Sequence, residues 1–277
     1  MLASCADDGT VKLWRVPDLQ FIRSFVAKAG WVKAVAFSPD GQMLASAHSE
    51  NVTKLWRVSD GALLRTLTGH TSSVYAVAFS PDGETVASGG GDAKVRLWKA
   101  STGETLRVLA RIRTVTSVAF SPDGELLALA EASGALLAYR TSDWTMYQYF
   151  TKHTAEATSV TFSPNGQYLA SGGKDKTARL WDSATGRLLQ PLNCSNRTVW
   201  SVAFSPDGQT LATACENNSE PAGEVVMWRV QDGVETHRIS SFSKPVLSVA
   251  YSRDGETLAT GVEQAYRPEG SLALWGS

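Results

Sequence analysis

GHTSSVYAVAFSPDGETVASGGGDAKVRLW, running from Gly69 to Trp98, is the stretch whose reading decides the fold. Its centre is Ser80-Pro81-Asp82-Gly83, where proline pre-sets φ and glycine tolerates positive φ, so the chain turns tightly. Before the turn lies Val74–Phe79, a run of Val, Ala and aromatics. After it come Glu84–Ser88, a glycine and aspartate turn, and Lys94–Trp98, and a fourth run, Thr105–Leu109, follows. The runs are short and lack a 3.6-residue period, so they read as strands.

Working outward, SPDG begins again at Ser38, Ser121 and Ser205, with SPNG from Ser163 and SRDG from Ser252. Successive steps are 42, 41, 42, 42 and 47 residues. A second mark keeps the same step, an aromatic closing the third run: Trp14, Trp56, Trp98, Tyr139, Trp181, Trp228 and Trp275. Four short antiparallel strands per period is the size of one propeller blade.

The unit resembles the WD repeat: a Gly-His pair, a V-x-x-V-x-F-S-P-D-G run, L-A-S-G, and an Asp six residues before a closing Trp. Gly69-His70 through Trp98 carries the resemblance nearly position by position, and it extends over the whole chain. It implies an all-β, seven-bladed β-propeller of four-stranded antiparallel blades, as one domain over residues 1–277. Only six first strands can be counted against seven second and third strands, and Met1 aligns with Met43. The first and last blades are therefore expected to be incomplete. The count also raises the expectation of a chain truncated at the start of blade one, by about 26 residues on the repeat period, and unstable without them.

His70, Ser88 and Asp92 share a repeat with Trp98, and His153, Ser171 and Asp175 share one with Trp181 at identical offsets. Ser-His-Asp suggests a hydrolase triad, but an active site is not normally duplicated two blades away. The resemblance implies a structural chain: Asp accepts from His, His reaches Ser, and Ser reaches the indole N–H, so that each buried polar group has a partner. Other blades depart from the quartet. Blade one keeps Ser4, Asp8 and Trp14; blade two has Lys28 and Glu50; blade four has Arg111, Ser133 and Tyr139; blades six and seven have Ser195 and Phe242 at the histidine position. Those blades are expected to rest on packing more than on the network.

The glycines Gly89–Gly91 and Gly172-Gly173 fit no phosphate-loop spacing, and Asp7-Asp8 no calcium loop. Cys5, Cys194 and Cys215 are read as reduced core or surface thiols, too scattered for a disulfide framework or a zinc site. A net charge of −1 offers no field for nucleic acid or an anionic membrane. Residues 1–10 have neither a cationic flank nor an apolar core, and no apolar run approaches a membrane span. The expectation is a cytoplasmic protein with no catalytic residues, cofactor, metal, nucleic-acid or membrane partner.

The resemblance implies a rigid platform for protein or peptide partners, docking on the face of the blade-leading loops. Contact positions in the family lie six and four residues before the first-strand Phe. Here the minus-six residues are Trp31, Ser73, Thr114, Glu156, Thr198 and Pro245; the minus-four residues are Lys33, Tyr75, Thr116, Thr158, Trp200 and Leu247. The spacing from turn serine to closing aromatic grows from 18 residues in blades two to five to 23 in blades six and seven. The two added stretches, 216–224 and 263–270, read as long hairpins on the same face. The first brings Glu216, Glu220 and Glu224, and the second Tyr266 and Arg267. Trp31, Lys33, Tyr75, Trp200, Leu247, Glu216, Glu220, Tyr266 and Arg267 are thus the candidate protein-binding residues, in a sector expected to run from blade six round to blade two. Two other readings compete: the regulatory or sensor portion of a larger signalling protein, and a propeller hydrolase.

Overall fold

The computed structural model describes residues 1–16, 18–26, 30–150, 153–194, 196–216, 222–262 and 271–276, the side chains of Ser271, Leu272 and Gly276 excepted. The described residues form 26 strands. The fold is all-β, a seven-bladed β-propeller with mostly four-stranded antiparallel blades and three strands in the first and last. By internal contacts the chain divides into two compact units, Met1–Phe120 and Ser121–Ser277.

In the first unit, blade one is β1 (Leu2–Cys5), β2 (Thr10–Arg15) and β3 (Gln20–Val26). Blade two is β4 (Val32–Phe37), β5 (Met43–His48), β6 (Val52–Arg57) and β7 (Leu63–Thr68). Blade three is β8 (Val74–Phe79), β9 (Thr85–Gly90), β10 (Lys94–Lys99) and β11 (Thr105–Ala110), and β12 (Val115–Phe120) ends the unit. The second unit opens with β13 (Leu126–Glu131), β14 (Leu136–Arg140) and β15 (Met146–Phe150) of blade four. Blade five is β16 (Ala157–Phe162), β17 (Tyr168–Gly173), β18 (Thr177–Asp182) and β19 (Leu188–Asn193). Blade six is β20 (Thr198–Phe204), β21 (Thr210–Glu216), β22 (Gly223–Arg229) and β23 (Glu235–Phe242). Blade seven is β24 (Val246–Tyr251), β25 (Thr257–Val262) and β26 (Ser271–Gly276).

The SPDG turn folds for a local reason. The Ser80 hydroxyl accepts from the Thr85 amide (2.9 Å) and donates to Asp82, whose Oδ1 accepts from the Glu84 amide (2.9 Å). Gly83 takes φ +75°, where a Cβ would be strained. The same bonds recur at Ser38, Ser121, Ser163, Ser205 and Ser252. In blades two, three, five, six and seven the first and second strands are thereby held in register by side chains as well as by the ladder.

The core lies between neighbouring sheets. In the first unit Val11, Leu13 and Phe25 of blade one pack on Leu44 and Trp56 of blade two, and Leu55 and Leu67 of blade two on Val86 and Trp98 of blade three. In the second, Leu180 and Leu192 of blade five meet Val226 and Trp228 of blade six, and Val225 and Ile239 meet Val249 and Leu258 of blade seven. Apolar side chains interdigitating between sheet faces are the main stabilising term in such packing.

Candidate functional site

Two groups of residues are the candidates. The first is the buried network behind each closing aromatic. In blade three, the Trp98 indole N–H donates to Ser88 Oγ (2.8 Å), which lies 2.8 Å from His70 Nε2. His70 Nδ1 lies 2.9 Å from Asp92 Oδ1. The carboxylate can only accept, so Nδ1 carries the proton and Nε2 accepts from the serine hydroxyl. Blade five repeats this with Trp181, Ser171, His153 and Asp175 at 3.0, 2.8 and 2.9 Å. Burial holds the His70 ring below its usual range, against the pull of Asp92. Burial alone would push the Asp175 carboxyl up. Hydrogen bonds from His153 and Thr177 outweigh it and hold the group well below the usual carboxylate range. Ser88 and Ser171 are fully enclosed, and each oxygen already serves the indole. Neither presents Oγ to a substrate carbonyl.

Blades one, two, six and seven, expected to rest on packing more than on the network, keep a hydroxyl on the indole. In blade two the Trp56 indole donates to Ser46 Oγ (2.7 Å), and His48 Nε2 lies 2.7 Å from that oxygen. This histidine comes from the second strand, ten residues after the turn serine, and Lys28 lies outside the described residues. Burial, with Lys54 nearby, lowers its pKa from 6.5 to about 4. In blade six Thr213 replaces the serine and accepts from Trp228 (3.0 Å), while Ser195 lies outside the described residues. In blade seven Thr260 lies 3.4 Å from the Trp275 indole, and Phe242 packs edge-on against that ring. In blade one Ser4 accepts from Trp14 (2.8 Å), and Asp8 turns instead to the Thr10 amide and hydroxyl. Only blade four lacks both ends of the bond, with Leu129 at the serine position and Tyr139 for the indole. There buried Glu131 accepts from Ser133 (3.1 Å).

A second correction concerns the cysteines. Cys194 and Cys215 form a disulfide, with their Cα atoms 6.6 Å apart, and Cys5 is free. Cys194 Sγ lies 3.2 Å from Thr213 Oγ1, so the sulfurs sit where blade three has its imidazole. The reason is volume. A Cβ on Gly90 would stand 2.6 Å from His70 Nδ1, and one on Gly173 equally close to His153 Nδ1. A leading-loop histidine therefore requires glycine at the tenth position after the turn serine. Where that position holds His48 or Cys215, the larger side chain fills the space itself.

The second group is the leading-loop face. The first strands carry a β-bulge: the register skips Lys33, Tyr75, Thr158, Trp200 and Leu247 between paired neighbours. These are the minus-four residues, and a bulge re-aims its unpaired side chain. The minus-six residue is held by its carbonyl: Trp31, Ser73 and Glu156 accept from the amides of Ser49, Gly91 and Lys174 at 2.9, 2.8 and 2.8 Å. In the first unit Trp31 is 53 % exposed, with Lys33 Nζ 4.2 Å above its ring and 3.3 Å from Asp7, and Tyr75 is also exposed. In the second, Lys174 bridges Glu156 (2.9 Å) and the half-buried Trp200 ring (5.1 Å). The Trp200 indole donates to Glu216, and Leu247 is exposed. Lys174 is a member of this cluster that sequence reading missed. Glu224 does not belong to an acidic hairpin. It is buried in β22, paired with Arg197 (3.3 Å) and Arg238 (2.7 Å). Glu220, Tyr266 and Arg267 lie outside the described residues.

Blades with an indole anchored by a Ser or Thr hydroxyl, in six of seven repeats, define a propeller of the WD-repeat class. A family model described as the WDHD1 first WD40 domain matches residues 1–220, and the chain belongs to the WD40-repeat propeller family. No curated protein matches it. Propellers of this family generally serve as protein-interaction scaffolds, bind protein partners and are typically non-enzymatic.

Proposed function

We propose that this chain is a non-enzymatic, cytoplasmic scaffold that holds a protein or peptide partner on its leading-loop face. The observation that carries the reading is the repeated bulge, which turns Lys33, Tyr75, Trp200 and Leu247 out of the ladder at the family's contact positions. Large aromatics on a rigid strand bury area at low entropy cost, which is why Trp and Tyr dominate binding hot spots. Trp31 with Lys33 in one unit, and Trp200 with Lys174, Glu156 and Glu216 in the other, pair such a ring with charges that suit a polar rim. Against a hydrolase stands the enclosure of Ser88 and Ser171. The test is comparative affinity capture with the native chain, Trp31→Ala, Trp200→Ala and Gln167→Ala, the last on the turn of Asn165 and Gln167. A partner held by the native chain and by Gln167→Ala, and lost in either Trp variant, supports the platform. Loss only in Gln167→Ala overturns the choice of face.

A further inference from the structure

We infer that Cys194 and Cys215 form a reversible redox latch, which ties the loop leading into blade six to its second strand and so sets the position of Trp200. In blades three and five that tie is non-covalent: the leading-loop His reaches Ser on the second strand and Asp in the next hairpin, at 2.8 and 2.9 Å. Blade six has no histidine there. Its tie runs from Cys194, just after β19, to Cys215, near the end of β21, across 21 residues of chain. Both cysteines are fully buried, and both sulfurs border the Thr213 hydroxyl that holds the Trp228 indole.

The latch bears on the candidate contact residues through direct neighbours. The closed loop contains all of β20, including the bulged Trp200. Glu216, which accepts from the Trp200 indole, follows Cys215 directly. On the other side the Arg197 amide donates to the Cys194 carbonyl (2.9 Å), and its guanidinium reaches Glu224 in β22. Opening the S–S bond removes the covalent restraint on both ends of this segment. A hydrogen-bonded His–Asp tie has no such response, so blade six alone in this unit answers to thiol chemistry. A reversible pair of this kind fits the cytoplasmic setting proposed above, where protein disulfides are mostly transient and redox-sensing.

The exchange partner is a low-molecular-weight disulfide, RSSR, which reaches the fully buried sulfurs when the segment leading into blade six opens locally. A protein thiolate attacks one of its sulfurs and expels RS⁻, and the second protein thiolate then displaces the other RS⁻ from the mixed disulfide. Two protein S–H bonds and one RSSR bond break; one protein S–S bond and two RS–H bonds form. A small dithiol runs the reaction backwards and leaves as its own cyclic disulfide.

The existence of the latch is independent of the platform reading; only its effect on partner binding rests on it. The test therefore uses the full chain without any partner. The protein is equilibrated with oxidised glutathione or with dithiothreitol, unfolded, labelled with a maleimide and digested. The expected result is a linked peptide pair containing Cys194 and Cys215 with Cys5 labelled, and after dithiothreitol a label on all three. In parallel, amides of residues 196–216 should exchange at least about tenfold faster in the reduced chain. The emission difference between the native chain and Trp200→Phe should also change on reduction. A Cys194→Ser, Cys215→Ser double variant should behave as the reduced chain under both conditions; if it fails to fold, the titration of the native chain still decides. Labelling of both cysteines in the oxidised sample overturns the disulfide. Equal exchange and emission in both states overturn the latch. Protection of the reduced thiols by a retained metal ion, released by a chelator, assigns Cys194, Cys215 and buried Glu224 to metal binding instead.

Discussion

Blades five and six stand side by side in the chain, share a four-stranded order and the same turn, and bury the same indole, yet they complete its hydrogen bond with different chemistry. Blade five uses Ser171, His153 and Asp175; blade six uses Thr213 and a cysteine pair. The difference teaches what the fold requires. A buried indole N–H needs an acceptor, and that hydroxyl needs company of the right size, but no single residue type is obligatory. What is obligatory is the trade between the leading-loop residue and the tenth residue after the turn serine, because both occupy one volume. Blade five settles it with His153 and Gly173, and blade two with His48 on the second strand.

The largest expected effect comes from breaking the trade in blade five. Gly173→His places a ring where His153 already stands, and His153→Lys strips Ser171 and Asp175 of their partner. Each single change should cost about 2–4 kcal/mol. The double variant carries histidine on the second strand, as blade two does with His48, and should cost less than the sum, by at least about 1 kcal/mol. Urea denaturation of the three proteins measures this coupling, and strict additivity would refute the shared-volume account.

A somewhat smaller effect is expected on the leading-loop face. If either ring is a binding hot spot, Trp31→Ala or Trp200→Ala should weaken the partner by about 2 kcal/mol. Gln167→Ala should leave affinity within about 0.5 kcal/mol. Calorimetry with the captured partner, with melting temperatures checked separately, distinguishes lost contact from lost folding.

The repeat itself was legible in the sequence because the SPDG turn has a local cause. Ser80, Asp82 and Gly83 satisfy one another within five residues, so they must recur wherever the turn does. The two quartets were legible for the same reason, as fixed offsets within one repeat. The networks of blades two and six were not. His48 and Cys215 sit at a position where blades three and five have glycine, and comparing blades residue by residue does not reveal that glycine there is space for a side chain arriving from another loop. The sequence signal was present in the pairing: histidine in the leading loop occurs only with glycine at the tenth position. The Cys194–Cys215 bond was hidden by a sequence separation of 21, and the bulge at the minus-four positions leaves no mark in composition. Glu224 was misread as a loop carboxylate because the length of the added stretch did not show where β22 begins.

A further contrast separates blades two and five by pH. The folded His48 pKa is depressed from 6.5 to about 4, so the unfolded chain binds the proton more readily. Its contribution to stability is complete above about pH 6.5 and is lost as pH falls toward about 4. Asp175 is also depressed, from an ordinary 3.8, so its contribution is complete above that value and is lost only at lower pH. Chemical denaturation of the native chain and His48→Gln between pH 7 and pH 4, round values that bracket the histidine window, should show a shallower decline in the variant. An identical slope would remove His48 from the titrating groups.

The central claim, that the Ser-His-Asp sets hold blades together and do no chemistry, is tested most directly by Ser171→Ala, measured at once for thermal stability and for hydrolysis of a generic ester. The account predicts a loss of about 1–3 kcal/mol, from the indole and imidazole left without their common partner, and background hydrolysis in both native and variant chains. Hydrolysis above background in the native chain, abolished by Ser171→Ala with an unchanged melting temperature, would contradict it.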